Sequence, residues 1–390
     1  MKYESELLKE YCVGCGICAE YGKAILAEDS KGFYHPSQFD VGWLRGICPA
    51  GGTQTCTFDT DIWGRRERAY LGWSTDKRVR EMASSGGILT EVASFLLERG
   101  VVDGVIHVAE KLGAPTKTQT CISTTREELI SRCGSRYAIS HPLEIISELD
   151  QNKKYVFIGK PCDVDVLNNL FRSEAQLRNC ICLTMSFFCA GLPSNDAQNR
   201  LLTEMGCTKE NCISLRYRGN GWPGFATAED IDGCVHKLDY DSSWGKILGR
   251  DVMPMCRFCL NGIGETADIS CGDGWYINDY NMPDFTEHEG RNIVFARTQN
   301  GLKVLEKTAS CGKIILNDFD DLDALLPRMQ YYQRERRQTM LAKKIAMKLF
   351  RKPFPKYKRN LLRAYTKGSS AKLQLTIFKG TVSRIIKGRI

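Results

Sequence analysis

The chain has 390 residues, 43% of them hydrophobic, and 18 cysteines. That length accommodates two or three domains with a sizeable core and excludes a largely disordered chain. The net charge of +8 averages two unlike parts: residues 334–390 hold 18 Lys/Arg against Glu335 alone, or +17, and the other 333 residues sum to −9.

The first residues, MKYESELLKEYC, are charged and contain no apolar secretory core. No run of about 18 uninterrupted apolar residues is present, which argues against a spanning helix. A cysteine-rich chain without an export signal is expected in the cytoplasm, where thiols stay reduced and clustered cysteines bind metal more often than they pair.

Residues 1–60 are rich in Gly and Cys and suit a small ligand-stapled module. Cys12, Cys15 and Cys18 have C-x-x-C-x-x-C spacing, with which iron–sulfur ferredoxins begin a cluster site. The usual fourth position is Gly22, followed by Lys23. Ferredoxins with two clusters complete such a run with a remote Cys-Pro, and Cys48-Pro49 supplies one thirty residues after Cys18. The predicted set is Cys12, Cys15, Cys18 and Cys48 around one 4Fe–4S cluster, with Cys56 as the competing fourth ligand. The bland alternatives are a zinc knot, for which this run is unusual, and a degenerate module without a cluster.

From Ala83 the pattern becomes α/β. A Ser/Gly start precedes Leu89, Val92, Ala93, Leu96 and Leu97 at helical spacing, Gly100 is a plausible stop, and "VVDGVIHV" reads as a buried strand. Further on come a strand at Tyr155–Ile158, a turn at Gly159–Pro161 and a helix. "CICLTMSFF" reads as a strand that ends in a loop at Cys189–Pro193. "RNIVFARTQNGLKVLEKTASCG" gives a strand, a turn at Asn300–Gly301 and a helix. The alternation predicts a mixed α/β (α+β) fold.

After about Pro327, Met340, Leu341, Ile345, Leu349 and Phe350 fall near one face of a basic amphipathic helix. Such a helix lies on an anionic membrane or a partner, or simply packs on the body. Nucleic acid is a weak candidate, because no binding motif accompanies the charge.

A second thiol constellation is dispersed. Cys256 and Cys259 form C-x-x-C, Cys162 sits in a strand-to-helix turn, and Cys189 sits at a strand end. Strand ends and the turns after them gather along one edge of an α/β sheet, where ligands bind. By spacing alone, Cys162 and Cys189 read by default as small buried hydrophobes.

"SSGGILTEVASFLLERGVVDGVI", "GSRYAIS", "KYVFIGKPCDVDVLNNL", "SFFCAGLPS" and "CRFCLNGIGETADISCGDGW" together resemble the coenzyme F420 hydrogenase/dehydrogenase beta-subunit family, in the family's order, with the ferredoxin-like module in front. The resemblance implies four segments: a ferredoxin-like 4Fe–4S module at 1–60, α/β domains at 66–150 and 151–325, and a basic helical tail at 326–390. It implies an iron–sulfur flavoprotein oxidoreductase with an FAD site and a second 4Fe–4S cluster on Cys162, Cys189, Cys256 and Cys259. A reduced carrier, a deazaflavin coenzyme or ferredoxin, would exchange electrons with FAD and the clusters, in either direction. Ferredoxin or a redox partner subunit is then the expected partner. Family members include bacterial proteins linked to cell-surface polysaccharide synthesis, and with the basic tail this suggests a peripheral place at the inner membrane face.

No G-x-G-x-x-G fingerprint follows a predicted strand, so a Rossmann site is not supported. "ASSGG" opens a helix instead: Ser84 and Ser85 can cap it, and Gly86 and Gly87 let a phosphate approach its N–H groups. An ordinary N-cap is the bland reading, which the resemblance outweighs. Gly134, Ser135, Arg136 and Tyr137 follow, with Arg136 suited to a pyrophosphate and Tyr137 to a ring. In "ADISCGDGW", near Asp268, Gly272 and Trp275, Asp273 is expected to meet a ribose or flavin edge, or to cap a turn. Cys271 stands where the family more often has an aliphatic residue and reads as a spare thiol. No Ser/His/Asp or paired-carboxylate constellation stands out among only five histidines, which argues against hydrolysis. The rival readings are a non-catalytic electron-transfer subunit and a zinc-stabilised scaffold.

Overall fold

A computed structural model of the chain describes residues 2–52, 61–357, 359–388 and 390. Cys56 lies outside the described residues. In chain order the strands are β1 (Ala24–Glu28), β2 (Tyr34–Phe39), β3 (Arg68–Ser74), β4 (Gly104–Lys111), β5 (Ala114–Ser123), β6 (Tyr155–Gly159), β7 (Ile181–Phe187), β8 (Cys212–Arg216), β9 (Ala226–Asp230), β10 (Val235–Leu238), β11 (Ile269–Asp273), β12 (Asn292–Ala296) and β13 (Ile314–Asp318). Eight of them form one sheet in the order β13-β3-β12-β11-β7-β6-β4-β5. Its middle is parallel, from β4 through β6 and β7 to β11, and antiparallel pairs flank it. β8–β10 form a separate three-stranded antiparallel sheet, and β1–β2 a hairpin in the front module.

The segments 66–150 and 151–325 interleave in the large sheet: β3 pairs with β12 and β13, while β4 pairs with β6. The boundary at 150/151 therefore does not divide it.

Alternation along the strands sends side chains to two cores. Tyr155 and Phe157 of β6 join Ile106 of β4 on one side; Val156 and Val105 join the other. The second core is closed by the helices Ile88–Glu98 and Gln299–Ser310. The first is closed by the front module (Leu7, Leu8, Tyr11, Ile17), by the helix Pro161–Leu170, and by the tail (Met340, Met347, Leu362, Tyr365). Each fully buried side chain of Leu or Met size contributes about 1.5–3 kcal/mol, so this shared core binds module and tail to the sheet.

Two boundaries differ from the sequence reading. The buried strand begins at Gly104, leaving Val101 exposed. Asn300 and Gly301 lie inside a helix, whose N-cap is Thr298, with its hydroxyl accepting from Gly301 N. A Cβ at Gly301 would stand 2.1 Å from Asp268 O, so this glycine permits close packing rather than a turn.

The tail consists of the helices Leu322–Met329, Tyr331–Gln338, Met340–Leu349, Arg359–Thr366 and Ala371–Ile386. The apolar face expected for a surface is divided. Met340 and Met347 are buried, whereas Ile345, Leu349 and Phe350 are exposed. Arg337 is buried, bonded to Leu260 O and ion-paired with Glu265. No helix among the described residues is long and apolar enough to cross a membrane.

Candidate functional site

The front thiols are set by a short loop with two left-handed glycines, Gly14 (φ 69°) and Gly16 (φ 89°). These turns, which favour glycine, let three sulfurs converge within seven residues. A side chain at Gly16 would also press on His141 at 3.1 Å. Cys12, Cys15 and Cys18 are buried and Cys48 half-buried, and all four line one cavity walled by Leu8, Leu44 and Val166. Cys48 reaches it from the end of the helix Val41–Ile47. Gly14 N–H donates to Cys12 Sγ at 3.4 Å. Burial pushes Cys12 and Cys15 up and Cys48 up to about 12, with neighbouring thiols adding to the effect. Gly22 (φ 61°) donates its N–H to Ala19 O and has open space around it. It ends a helical turn away from the thiols.

Cys162, Cys189, Cys256 and Cys259 line a second cavity. Cys162 comes from the first turn of the helix Pro161–Leu170, Cys189 from just beyond β7, and the last two from the 3-10 segment Pro254–Phe258 and its end. Burial pushes Cys189, Cys256 and Cys259 up to about 11; Arg336 pulls all three down, and Lys160 helps for Cys189 and Cys256. Burial works against the charge of Lys160, yet Asp163 and the thiols of Cys162 and Cys189 outweigh it and lift its pKa. Lys160 Nζ lies 2.9 Å from Asp163 Oδ2 and 3.2 Å from Ser140 Oγ. Arg336 donates to Cys189 O and Ala190 O. Sequence reasoning missed Lys160, Asp163 and Arg336; "GKPCD" places the first two beside Cys162, but Arg336 arrives from the tail without any local signal.

The third cavity, about 270 Å³, is large beside the two thiol cavities. Ser84, Ser85, Gly87, Gly134, Ser135, Arg136, Tyr137 and Asp273 line it. Gly86 does not: a Cβ there would meet Gly72 O at 2.6 Å and Asn292 N at 2.8 Å, so it closes a backbone contact. The serines do not cap the helix Ile88–Glu98. Its N-cap is Gly87 (φ 78°), Ser84 Oγ accepts from Ser135 N at 2.5 Å, and Ser85 Oγ donates to Arg291 O. The first turn of that helix nonetheless borders the cavity at Leu89 and Thr90, where helix N–H groups lack intrahelical partners.

Arg136 is committed within the protein. It donates to Glu110, Leu215 O and Pro115 O, each at 2.8 Å, and stacks on Tyr217. It stays in the cavity wall, with these bonds holding its guanidinium to β5 and β8. Arg132 is the better placed cation: it borders the cavity, donates to Ser123 Oγ and stands 3.9 Å from Glu128. Tyr137 packs against Trp244 with ring centroids 4.5 Å apart. Asp273 accepts a two-pronged bond from buried Arg218 at 3.0 and 3.2 Å, and Arg218 lies over the adjacent rings of Tyr240 and Trp275. Asp268 is structural, accepting from Thr184 N and Thr298 Oγ1. Cys271, on β11, borders the cavity as a buried thiol pushed up by burial alone.

The three cavities adjoin. Val13 lies in the walls of both thiol cavities; Lys160, Cys189, Gly191 and Leu192 lie in the walls of both the second thiol cavity and the large one.

Residues 69–147 match the profile of the coenzyme F420 hydrogenase/dehydrogenase beta-subunit N-terminal region, and residues 152–322 match that of its C-terminal region. A coenzyme F420 hydrogenase subunit beta from Methanococcus voltae is 22% identical over 69% of this chain and 90% of that one. A coenzyme F420-dependent sulfite reductase from Methanocaldococcus jannaschii is 23% identical over 75% of this chain and 45% of its own length. Among solved structures, a chain of the F420-reducing NiFe hydrogenase complex from Methanosarcina barkeri shares the fold. Its TM-score is 0.57 at 20% identity, covering 76% of this chain and 98% of that one.

Proposed function

Because this chain belongs to the coenzyme F420 hydrogenase/dehydrogenase beta-subunit family, we propose that it is an iron–sulfur flavoprotein oxidoreductase working with a redox partner subunit. The carrying observation is the series of three adjoining cavities, two walled by four thiols each. Four thiols around a closed cavity are the donor set of a 4Fe–4S cluster. Cys12, Cys15, Cys18 and Cys48 would hold one, and Cys162, Cys189, Cys256 and Cys259 the other. The large cavity, with helix N–H groups, glycines and an aromatic wall, suits a flavin dinucleotide. When bound, a flavin exchanges two-electron for one-electron chemistry and the clusters carry single electrons.

The protein's own residues orient and insulate. Gly87 brings backbone to the cavity at a helix N-terminus, which favours phosphate. Arg132 is the cation assigned to the pyrophosphate, replacing Arg136. Arg218 fixes Asp273 toward the cavity, and Tyr137 with Trp244 forms an aromatic wall. Lys160 and Arg336 place positive charge beside the second thiol set. Relatives named for coenzyme F420 support a deazaflavin as the reduced carrier. Ile345, Leu349 and Phe350 lie beside exposed Lys348, Arg351 and Lys352, and we assign this patch to an anionic membrane surface. Replacing the three cations by Glu should abolish binding to vesicles containing anionic lipid; unchanged binding removes the assignment.

The main proposal is tested by anaerobic purification with iron, sulfide and flavin counts. About eight irons, eight sulfides and one FAD per chain are expected. Zinc without labile sulfide at the eight thiols would sink it. Deazaflavin oxidation by the isolated chain, with an artificial dye as acceptor, separates an enzyme from a passive relay.

A further inference from the structure

A third group of metal-ligating side chains stands apart from both thiol cavities, at the edge of the small sheet. Cys207 follows the helix Asn195–Glu204 after a left-handed turn at Gly206 (φ 82°). Asp230 ends β9, and His236 sits on β10. One ligand atom from each of Cys207, Asp230 and His236 lies within 4.8 Å of the other two. Around a tetrahedral zinc ion with bonds of about 2.0–2.3 Å, ligand atoms stand roughly 3.3–3.8 Å apart. Cys207 therefore needs to approach by about 1 Å or less, while His236 Nε2 and Asp230 Oδ2, now 2.8 Å apart, part by roughly 0.5–1 Å to admit the ion.

An ion pair explains two of the three. His236 Nε2 lies 2.8 Å from Asp230 Oδ2, while Asp230 Oδ1 accepts from Asp232 N and Cys234 N. It does not explain the buried Cys207 thiol directed at the pair, which makes no hydrogen bond among the described residues. Cys234 is a neighbour of the pair, its N–H bonded to Asp230 Oδ1 at 2.9 Å. Cys234 immediately precedes β10, two residues before His236, and its carbonyl accepts from Asp230 N, so continuing the pleat puts the two side chains on one face. Cys234 is exposed and can swing inward. Cys212, the other nearby thiol, is turned away and donates to Ser214 O at 3.3 Å.

We infer that Cys207, Asp230, Cys234 and His236 form a structural zinc site. Two thiolates, an imidazole and a carboxylate give the closed four-ligand set that zinc takes in structural sites, and soft thiolates with imidazole select zinc over magnesium or calcium. Binding exchanges the proton of the Cys207 thiol and that of Cys234 for the metal, without redox change. The site would staple the end of the helix Asn195–Glu204 to the β9–β10 hairpin. That hairpin supports β8, which runs on through Tyr217 to Arg218 at the wall of the large cavity.

The test uses full-length protein purified anaerobically with its iron loaded, dialysed against zinc and then against buffer. Wild type should retain about one zinc per chain. Cys207→Ser and His236→Asn should each lose it while iron and sulfide stay unchanged. Cobalt(II) in place of zinc should give a thiolate-to-cobalt charge-transfer band in wild type. Zinc content equal in wild type and both variants overturns the site, as does a wild type that retains none. If a variant fails to fold, the wild-type cobalt spectrum decides: absence of the thiolate band also overturns the inference.

Discussion

The two thiol sets meet the same chemical requirement by opposite means. In the front set three of four thiols come from one loop of seven residues, and only Cys48 is remote. In the second set three separate elements supply four thiols, and a fourth element, the tail, adds Arg336. Their electrostatics differ as well. Lys160 or Arg336 is among the strongest influences on every thiol of the second set, whereas no cation is among those on the front thiols. A set built locally depends on its loop; a set built from the whole fold depends on everything that holds the sheet, the 3-10 segment and the tail together.

The strongest test removes one thiol from each set. Cys12→Ser should cost about four of eight irons and leave carrier oxidation with an artificial dye largely intact. Cys189→Ser should cost the other four and reduce that activity as well, because Cys189 also walls the large cavity. Equal losses of activity in the two variants would erase the distinction. Iron analysis with steady-state assay reads both.

Next in size is the tail. Arg337→Met removes one cation from buried Glu265, which keeps the nearby charge of Arg297, so the cost should stay below the roughly 3–5 kcal/mol of a fully broken buried pair. Because Arg337 also bonds Leu260 O beside Cys259, thermal unfolding should come earlier and release the second iron set before the front one. Simultaneous release would mean the front loop depends on the tail just as strongly.

Acid provides a third handle. Burial first, and Arg132 second, lower the pKa of His107 from its ordinary 6.5 to about 4. A histidine held neutral in the fold and free to charge when unfolded stabilises fully above about pH 6.5. That contribution is lost as pH falls toward 4, and it corresponds to roughly 3 kcal/mol at most. His107 lies on β4 of the large sheet, so His107→Gln should flatten the acid limb of the denaturation midpoint measured between pH 6.5 and 4. An unchanged limb assigns it to other groups.

The smallest effect is on potential. Arg336→Gln removes a positive charge beside the second set only. Its reduction potential should fall by an amount on the order of 1–2 kcal/mol per electron, at an effective dielectric constant of about 20, while that of the front set stays put. Redox titration followed by electron paramagnetic resonance distinguishes the two.

Legibility in the sequence followed this same division. The front thiols could be read from spacing because the loop is contiguous and Pro49 marks its remote partner. The second set emerged only through resemblance, since the sheet order that gathers its elements is not written in local periodicity. The partners of Arg136 were illegible for a related reason: Glu110 and Pro115, which hold it, lie about 20–26 positions away on the β4–β5 hairpin. The tail's helical period was visible, but not the choice of face, because the helix of Met340 and Met347 packs against the tail's own helices Arg359–Thr366 and Ala371–Ile386, whose folding back has no local signal. Cys207, Asp230 and His236 had no motif spacing at all; a helix end and a hairpin bring them together.

Tyr11 donates to Pro353 O, Phe354 N donates to Tyr3, and Lys356 pairs with Glu4. These contacts span more than 340 positions. Closing such a loop is slow compared with forming local structure. During synthesis Tyr11, the residue before the first thiol, therefore lacks its partner until the segment around Pro353 has left the ribosome. Under the proposed function, that interval is when iron and sulfide would reach the front thiols, before the two ends of the chain are joined.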